Sequence, residues 1–142
     1  MQKISKAAVR ADAKCPGARS RTDVLRAVLE AKLGATAHPM MAPRGSTPVS
    51  VIFKVMAKMF AILSLRADEF VILKCDPNLA QAMREQYEGV GHRSHLDKRF
   101  WISVSLVADV PMSEIENLVG HSYALVCAGL TKKQQAELEI LT

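Results

Sequence analysis

The run from Val51 to Leu65 constrains this chain most. It is dense in β-branched and other apolar residues and breaks only at Met56-Ala57. Such composition reads as two strands, about 50–55 and 58–65. A two-residue connection permits only antiparallel pairing, so an antiparallel sheet is the scaffold. With that turn, Val55 faces Lys58, Phe53 faces Phe60 and Val51 faces Ile62. The Gly or Asn usual in such a turn is absent. After Arg66-Ala67-Asp68 as the next turn, Phe70 to Cys75 reads as a third strand.

The remaining elements follow from caps and periodicity. Thr22 is placed to cap a helix of Asp23 to Leu33, whose stripe is Leu25, Val28, Leu29 and Leu33 and whose stop is Gly34. Residues 35–48 hold Pro39, Pro43, Gly45 and Pro48 and read as a loop. Asp76-Pro77 is a helix start, and that helix runs to about Glu88 with Leu79, Ala80, Met83 and Tyr87 inward and Gly89 as stop. A short strand is expected over His92 to Leu96. From Arg99 to Val107 the alternation is clear: Phe100, Ile102, Val104 and Leu106 point one way, Arg99, Trp101, Ser103 and Ser105 the other. Pro111 opens a long helix with a Ser113/Glu116 capping box, ended by Gly129, and Thr131/Gln134 repeats that spacing for a last helix to Leu141. The fold class is α+β: an antiparallel sheet of about five strands, helices packed on one face, order α-βββ-α-ββ-α-α.

At 142 residues the chain suits one domain with one core. Residues 1–21 read as a flexible basic N-terminal arm and 22–142 as a single domain. The net charge is +5, and its placement matters more than its size. The arm holds six basic residues and one acidic, whereas the body holds thirteen of each and is neutral. Any basic patch on the body must therefore come from arrangement. The arm's composition also fits a transit peptide or a misplaced start codon. Cys15, Cys75 and Cys127 are odd in number and far apart, which is not a disulfide framework. That favours a reducing, cytoplasmic setting. The longest apolar run, Tyr123 to Leu130, is far short of the ~20 residues of a membrane span, so no membrane partner is expected.

Several blocks occur in register: Lys58-Met59-Phe60-Ala61, Leu73-Lys74-Cys75-Asp76-Pro77, His95-Leu96-Asp97-Lys98-Arg99-Phe100-Trp101, His121-Ser122-Tyr123 and Leu130-Thr131-Lys132-Lys133. This pattern resembles the MmcQ/YjbR-like family of small bacterial proteins over roughly Thr22 to Leu138. The resemblance implies a fold similar to the frataxin/CyaY group and DNA binding through a double-wing arrangement. The chain departs from the family pattern by having Asp97 where asparagine is usual, Phe100 where histidine is usual, Ser94 where tyrosine is common and Thr131 where proline is usual. Asp97 adds a negative charge beside Lys98, which weakens any grip on phosphate.

Read from the residues, the best surface is the outward side of the last strand with the turn before it. Nucleic-acid binding needs cations for phosphate and flat aromatics for bases. Arg93, His95, Lys98, Arg99 and Trp101 supply both, with Lys58 and Lys74 on adjoining strands and Lys132-Lys133 at a helix start. The expected function is non-enzymatic DNA binding through this basic and aromatic sheet face. The alternative is a protein-interaction or small-ligand module with no nucleic-acid role. No cofactor is expected. His92-x-x-His95 with Asp97 is the one metal-like spacing and lacks a fourth ligand, so no metal is assigned. Cys75 and Cys127 lie in apolar contexts unsuited to a thiolate nucleophile. No catalytic residue is assigned, and a monomer is favoured.

Overall fold

A computed structural model describes residues 18–41, 48–65, 69–93 and 96–141. Ten elements follow in order: α1 (Ala18–Glu30), β1 (Ala35–Met41), β2 (Pro48–Val55), β3 (Lys58–Ser64), β4 (Phe70–Lys74), α2 (Pro77–Gln86), β5 (Val90–Gly91), β6 (Trp101–Ser105), α3 (Met112–Ala128) and α4 (Lys132–Ile140). The six strands form one antiparallel sheet ordered β1-β2-β3-β4-β6-β5.

The expected fold class holds, with six strands instead of five. The sixth is β1, inside the stretch read as a loop. Pairing with β2 overrides the local proline signal, and Pro39 is tolerated because β1 is an edge strand. The expected strand over His92 to Leu96 is instead Val90–Gly91, and the His92 ring binds the Leu96 carbonyl at 2.6 Å. The first helix begins at Ala18, so Thr22 is no cap. Its hydroxyl donates to the Glu69 carboxyl at 2.9 Å instead. Residues 1–17 of the expected arm, and the expected turn at 66–68, lie outside the described residues.

The hairpin turn falls at Met56-Ala57, and both residues adopt positive φ, 49° and 67°. That is the twist a two-residue hairpin requires, here without Gly or Asn. Val55 pairs with Lys58 as expected, but Phe53 pairs with Ala61 and Val51 with Leu63. The physical cause is a bulge: Lys54 faces Met59, and Phe60 is the extra residue. The bulge lets Phe60 and Ala61 both enter the core, where the Phe60 ring meets the Tyr123 ring edge-on at 5.4 Å.

The core lies between the sheet and the helices. Val51, Phe53, Leu63, Val71, Leu73, Ile102 and Val104 meet Leu25 and Leu29 of α1, Ala80 and Met83 of α2, and Ile115, Leu118, Val119 and Val126 of α3. Fully burying one such side chain is worth about 1.5–3 kcal/mol. The opposite face carries a transverse row of directly paired Ile52, Ile62 and Ile72, ending at Ser103. Ser103 is buried, not outward in solvent as the alternation suggested, and Gly91 of β5 pairs against it.

Helix caps divide the same way. Asp76 caps α2 as expected, its Oδ2 accepting the Asn78 and Leu79 N–H groups at 3.0 and 3.2 Å. Thr131 and Gln134 form the expected box on α4. The expected Ser113/Glu116 box does not form: α3 starts at Met112 behind Pro111, which places Ser113 inside the first turn.

Candidate functional site

Where β4 ends, the backbone turns directly into α2, and where β6 begins, it leaves a tight turn over 97–100. These two junctions lie side by side because Lys74 pairs with Trp101 and the Cys75 N–H donates to the Phe100 carbonyl at 2.7 Å. The α3 helix passes over this end of the sheet. Ser122 donates to the Phe60 carbonyl at 2.6 Å and accepts the Lys74 N–H at 2.9 Å. His121 Nε2 accepts the Asp76 N–H at 3.2 Å. Together these bonds fix the β4–α2 junction beneath α3.

A cavity of about 390 Å³ opens here, lined by Lys74, Cys75, Asp76, Pro77, Phe100, Trp101 and Leu125. On the far side of Pro77 lies a second, of about 420 Å³, lined by Pro77, Gln81, Arg84, Lys98 and Arg99. The first has aromatic and aliphatic walls, with one lysine, one carboxylate and one thiol among its lining residues. The second is basic. Both fall at the small end of the ~300–1,000 Å³ range of ligand sites.

Arg84 joins them. Its Nη2 donates to the Lys98 carbonyl at 2.7 Å and the Trp101 carbonyl at 3.0 Å, pinning the 98–101 segment to α2. Its Nε is buried with no hydrogen-bond partner among the described residues. Arg99 is held differently. Asp97 accepts from the Arg99 backbone N–H at 2.9 Å and from Nη2 at 2.8 Å, and the guanidinium lies 5.2 Å from the Phe100 ring centre. Hydrogen bonds from Arg99 hold the Asp97 carboxyl down at about 2, while Asp97 raises Arg99 in turn. Arg99 therefore brings little unbalanced charge to the second cavity; the Asp97 charge, expected to act beside Lys98, is paired with Arg99 instead. Burial, then the Asp76 charge, pushes the Cys75 thiol up to about 11, so the thiol stays protonated near neutrality.

Of the nine residues singled out in the sequence, four converge here: Lys74 and Trp101 at the first cavity, Lys98 and Arg99 at the second. Both cavities lie at the end of the sheet, not over its flat polar face. Lys58 sits at the hairpin tip at this same end and lines neither cavity. Lys132 and Lys133 are exposed at the start of α4, also outside both. Arg93 stacks 4.1 Å over the Phe70 ring, at the other end of β4. His95 lies outside the described residues; of the metal-like triad's other members, the His92 ring binds the Leu96 carbonyl and Asp97 binds Arg99. Sequence reasoning missed Arg84 and took Leu125 only as part of the apolar stripe of the long helix; both roles are tertiary. It counted Phe100 among the core-facing residues, yet Phe100 is 37% exposed at the cavity. The unusual residue at position 100 was the available signal.

The architecture is thus that of a small α+β protein with an open antiparallel sheet and a cleft at one sheet end. The model of the YjbR family matches residues 31–125, and the chain belongs to that family. It is 32% identical over 85 residues to the uncharacterised protein YbdF of Escherichia coli O157:H7, covering 59% of this chain and 70% of that protein. It is 42% identical over 53 residues to the uncharacterised protein YjbR of Escherichia coli K12, covering 37% of this chain and 45% of that protein. Among solved structures, Deinococcus radiodurans protein DR2400 superposes with a TM-score of 0.69 at 27% identity, covering 82% of this chain and 86% of its own. A Pseudomonas syringae protein shares the fold, with a TM-score of 0.59 at 21% identity over 72% of this chain and 96% of its own. Among the described residues no helix is long and apolar enough to cross a membrane.

Proposed function

We propose that this protein is a non-enzymatic nucleic-acid-binding protein of the cytoplasm that acts as a monomer and contacts DNA through the sheet end built by Lys74, Lys98, Arg99 and Trp101. The observation that carries this reading is the adjacency of an aromatic-walled cavity and a basic one, separated only by Pro77. Cations around the second cavity suit the phosphate backbone, and Phe100 with Trp101 suits a base face. Affinity is expected to be modest, because the body is neutral overall and Asp97 offsets Arg99.

The test is fluorescence anisotropy of labelled DNA with the full chain, at low and physiological salt. Trp101→Ala is expected to weaken binding by about tenfold. Lys98→Ala should reduce the salt dependence by about one phosphate contact. Binding unaffected by either change removes this end of the sheet from consideration.

A second reading has its own support. The first cavity has the size of a small-ligand site, which favours a metabolite-binding module with no nucleic-acid role. Saturable binding that ignores salt would select it.

A further inference from the structure

We infer that the cavity between the β4–α2 junction and Leu125 is a pocket for one unstacked nucleobase, preferring a base that carries an exocyclic amino group. This rests on the nucleic-acid reading of the same sheet end, and the ligand chemistry is shared by a free nucleotide and an unpaired nucleotide within a strand.

Size and walls come first. A cavity of about 390 Å³ admits one flat heterocycle and its sugar, not a base pair held in a duplex. Phe100 and Trp101 offer aromatic walls, and Leu125 of α3 with Pro77 of α2 offers aliphatic ones. Stacking of this kind tolerates any base.

Selectivity needs a polar group inside, and Asp76 is that group. Its Oδ2 is taken by the two cap bonds to Asn78 and Leu79, while Oδ1 has no hydrogen-bond partner among the described residues. A carboxyl oxygen accepts hydrogen bonds and cannot donate when ionised, so it matches an amino group and rejects a carbonyl. Adenine, cytosine and guanine carry such an amine, whereas thymine and uracil offer only the N3–H, flanked by two carbonyls that an ionised carboxyl repels. The Asp76 charge would also repel a phosphate placed beside it. Lys74, at the edge of the same cavity, is the cation placed to receive that phosphate. The Cys75 thiol, 1% exposed, forms part of the lining.

The chain carries its own reporter, because Trp101 is the sole tryptophan. The experiment titrates the full chain with dAMP, dTMP and deoxyribose phosphate while reading Trp101 emission. Labelled single strands and fully paired duplexes are measured in parallel by anisotropy. dAMP is expected to quench saturably, with half-saturation about tenfold below that of dTMP, and deoxyribose phosphate is expected to leave emission unchanged. Asp76→Asn keeps the helix cap, since Asn caps as well as Asp, but replaces an acceptor with a donor. That variant should lose the preference for dAMP. Leu125→Phe narrows the cavity without touching charge and should abolish quenching by dAMP.

Equal quenching by deoxyribose phosphate, or an unchanged dAMP titration in Leu125→Phe, overturns the base pocket. If duplexes bind by anisotropy while no nucleotide quenches Trp101, the base pocket falls and the nucleic-acid reading stands. If dAMP quenches and no oligonucleotide binds, the pocket stands as a free-nucleotide site and the nucleic-acid reading falls.

Discussion

Ser122 donates its hydroxyl to the Phe60 carbonyl across 2.6 Å, a bond between residues 62 positions apart in the chain and wholly buried. The same oxygen accepts the Lys74 N–H at 2.9 Å. One side chain of α3 thus bridges β3 and β4 just past their last paired residues, Ala61 and Leu73. The bulge at Phe60 and the cavity edge at Lys74 hang on this bridge.

Removing the hydroxyl leaves a buried carbonyl and a partly buried N–H unpaired. Ser122→Ala is expected to cost about 1–3 kcal/mol. The measurement is the urea midpoint, which should fall with the slope unchanged. As a control, Ser113→Ala lies in the first turn of α3, where no capping box forms, and should shift stability by under about 0.5 kcal/mol.

The hairpin turn holds two non-glycine residues at positive φ. An L-residue in that region costs roughly 1–2 kcal/mol. Glycine would relieve this at Ala57 and give back part of it as unfolded-chain entropy. Ala57→Gly is therefore expected to stabilise the protein by about 0.5–1 kcal/mol, read as a higher urea midpoint. A lower midpoint would mean that the turn is not strained.

Tyr123 donates its hydroxyl to the Leu33 carbonyl, tying α3 to the turn between α1 and β1. Burial, then the neighbouring Cys127 thiol, pushes the phenol up to about 12, against ~10 in an unfolded chain. A raised acid favours the neutral form when folded. Its stabilising contribution is complete below pH ~10 and is lost as pH rises through about 12. Stability measured by urea at increasing pH should decline across that window, and Tyr123→Phe should flatten the decline while lowering stability at neutral pH.

Asp97 behaves in the opposite sense. Its carboxyl is held at about 2 by Arg99, below the ~3.9 of an unfolded chain. Its contribution is complete above pH ~3.9 and is lost as pH falls through about 2, so the pair persists across all working pH values. Asp97→Asn keeps the acceptor for the Arg99 N–H and frees the guanidinium charge. DNA affinity at low salt is expected to rise several-fold, with a steeper salt dependence. Unchanged affinity would place Arg99 outside the interface.

What the sequence made legible was local. Asp76-Pro77, Thr131 with Gln134, and the run around Met56-Ala57 carry their structural meaning within a few residues, and each appears as expected. Errors arose where a distant partner decides. Pro39 argued against a strand until β2 lay beside it. The register of β2 against β3 depended on the Phe60 bulge, which places both Phe60 and Ala61 in the core, where no two-residue periodicity puts adjacent residues. The site divides likewise. Lys74, Lys98, Arg99 and Trp101 were visible as cations beside an aromatic, whereas Arg84 acts on carbonyls 14 and 17 positions away.

Pro39 has a further consequence. It sits in β1, whose outer flank faces no other strand of the sheet, and the sheet's other border is the two-residue β5. A border strand with a complete set of backbone donors is a template on which another extended chain can add, and repetition of that step leads to fibres. Proline deletes one donor from the middle of the only long border, and β5 is too short to nucleate a partner. The Ile52–Ile62–Ile72 row thus lies in a sheet whose long border is blunted by a proline and whose other border is two residues long.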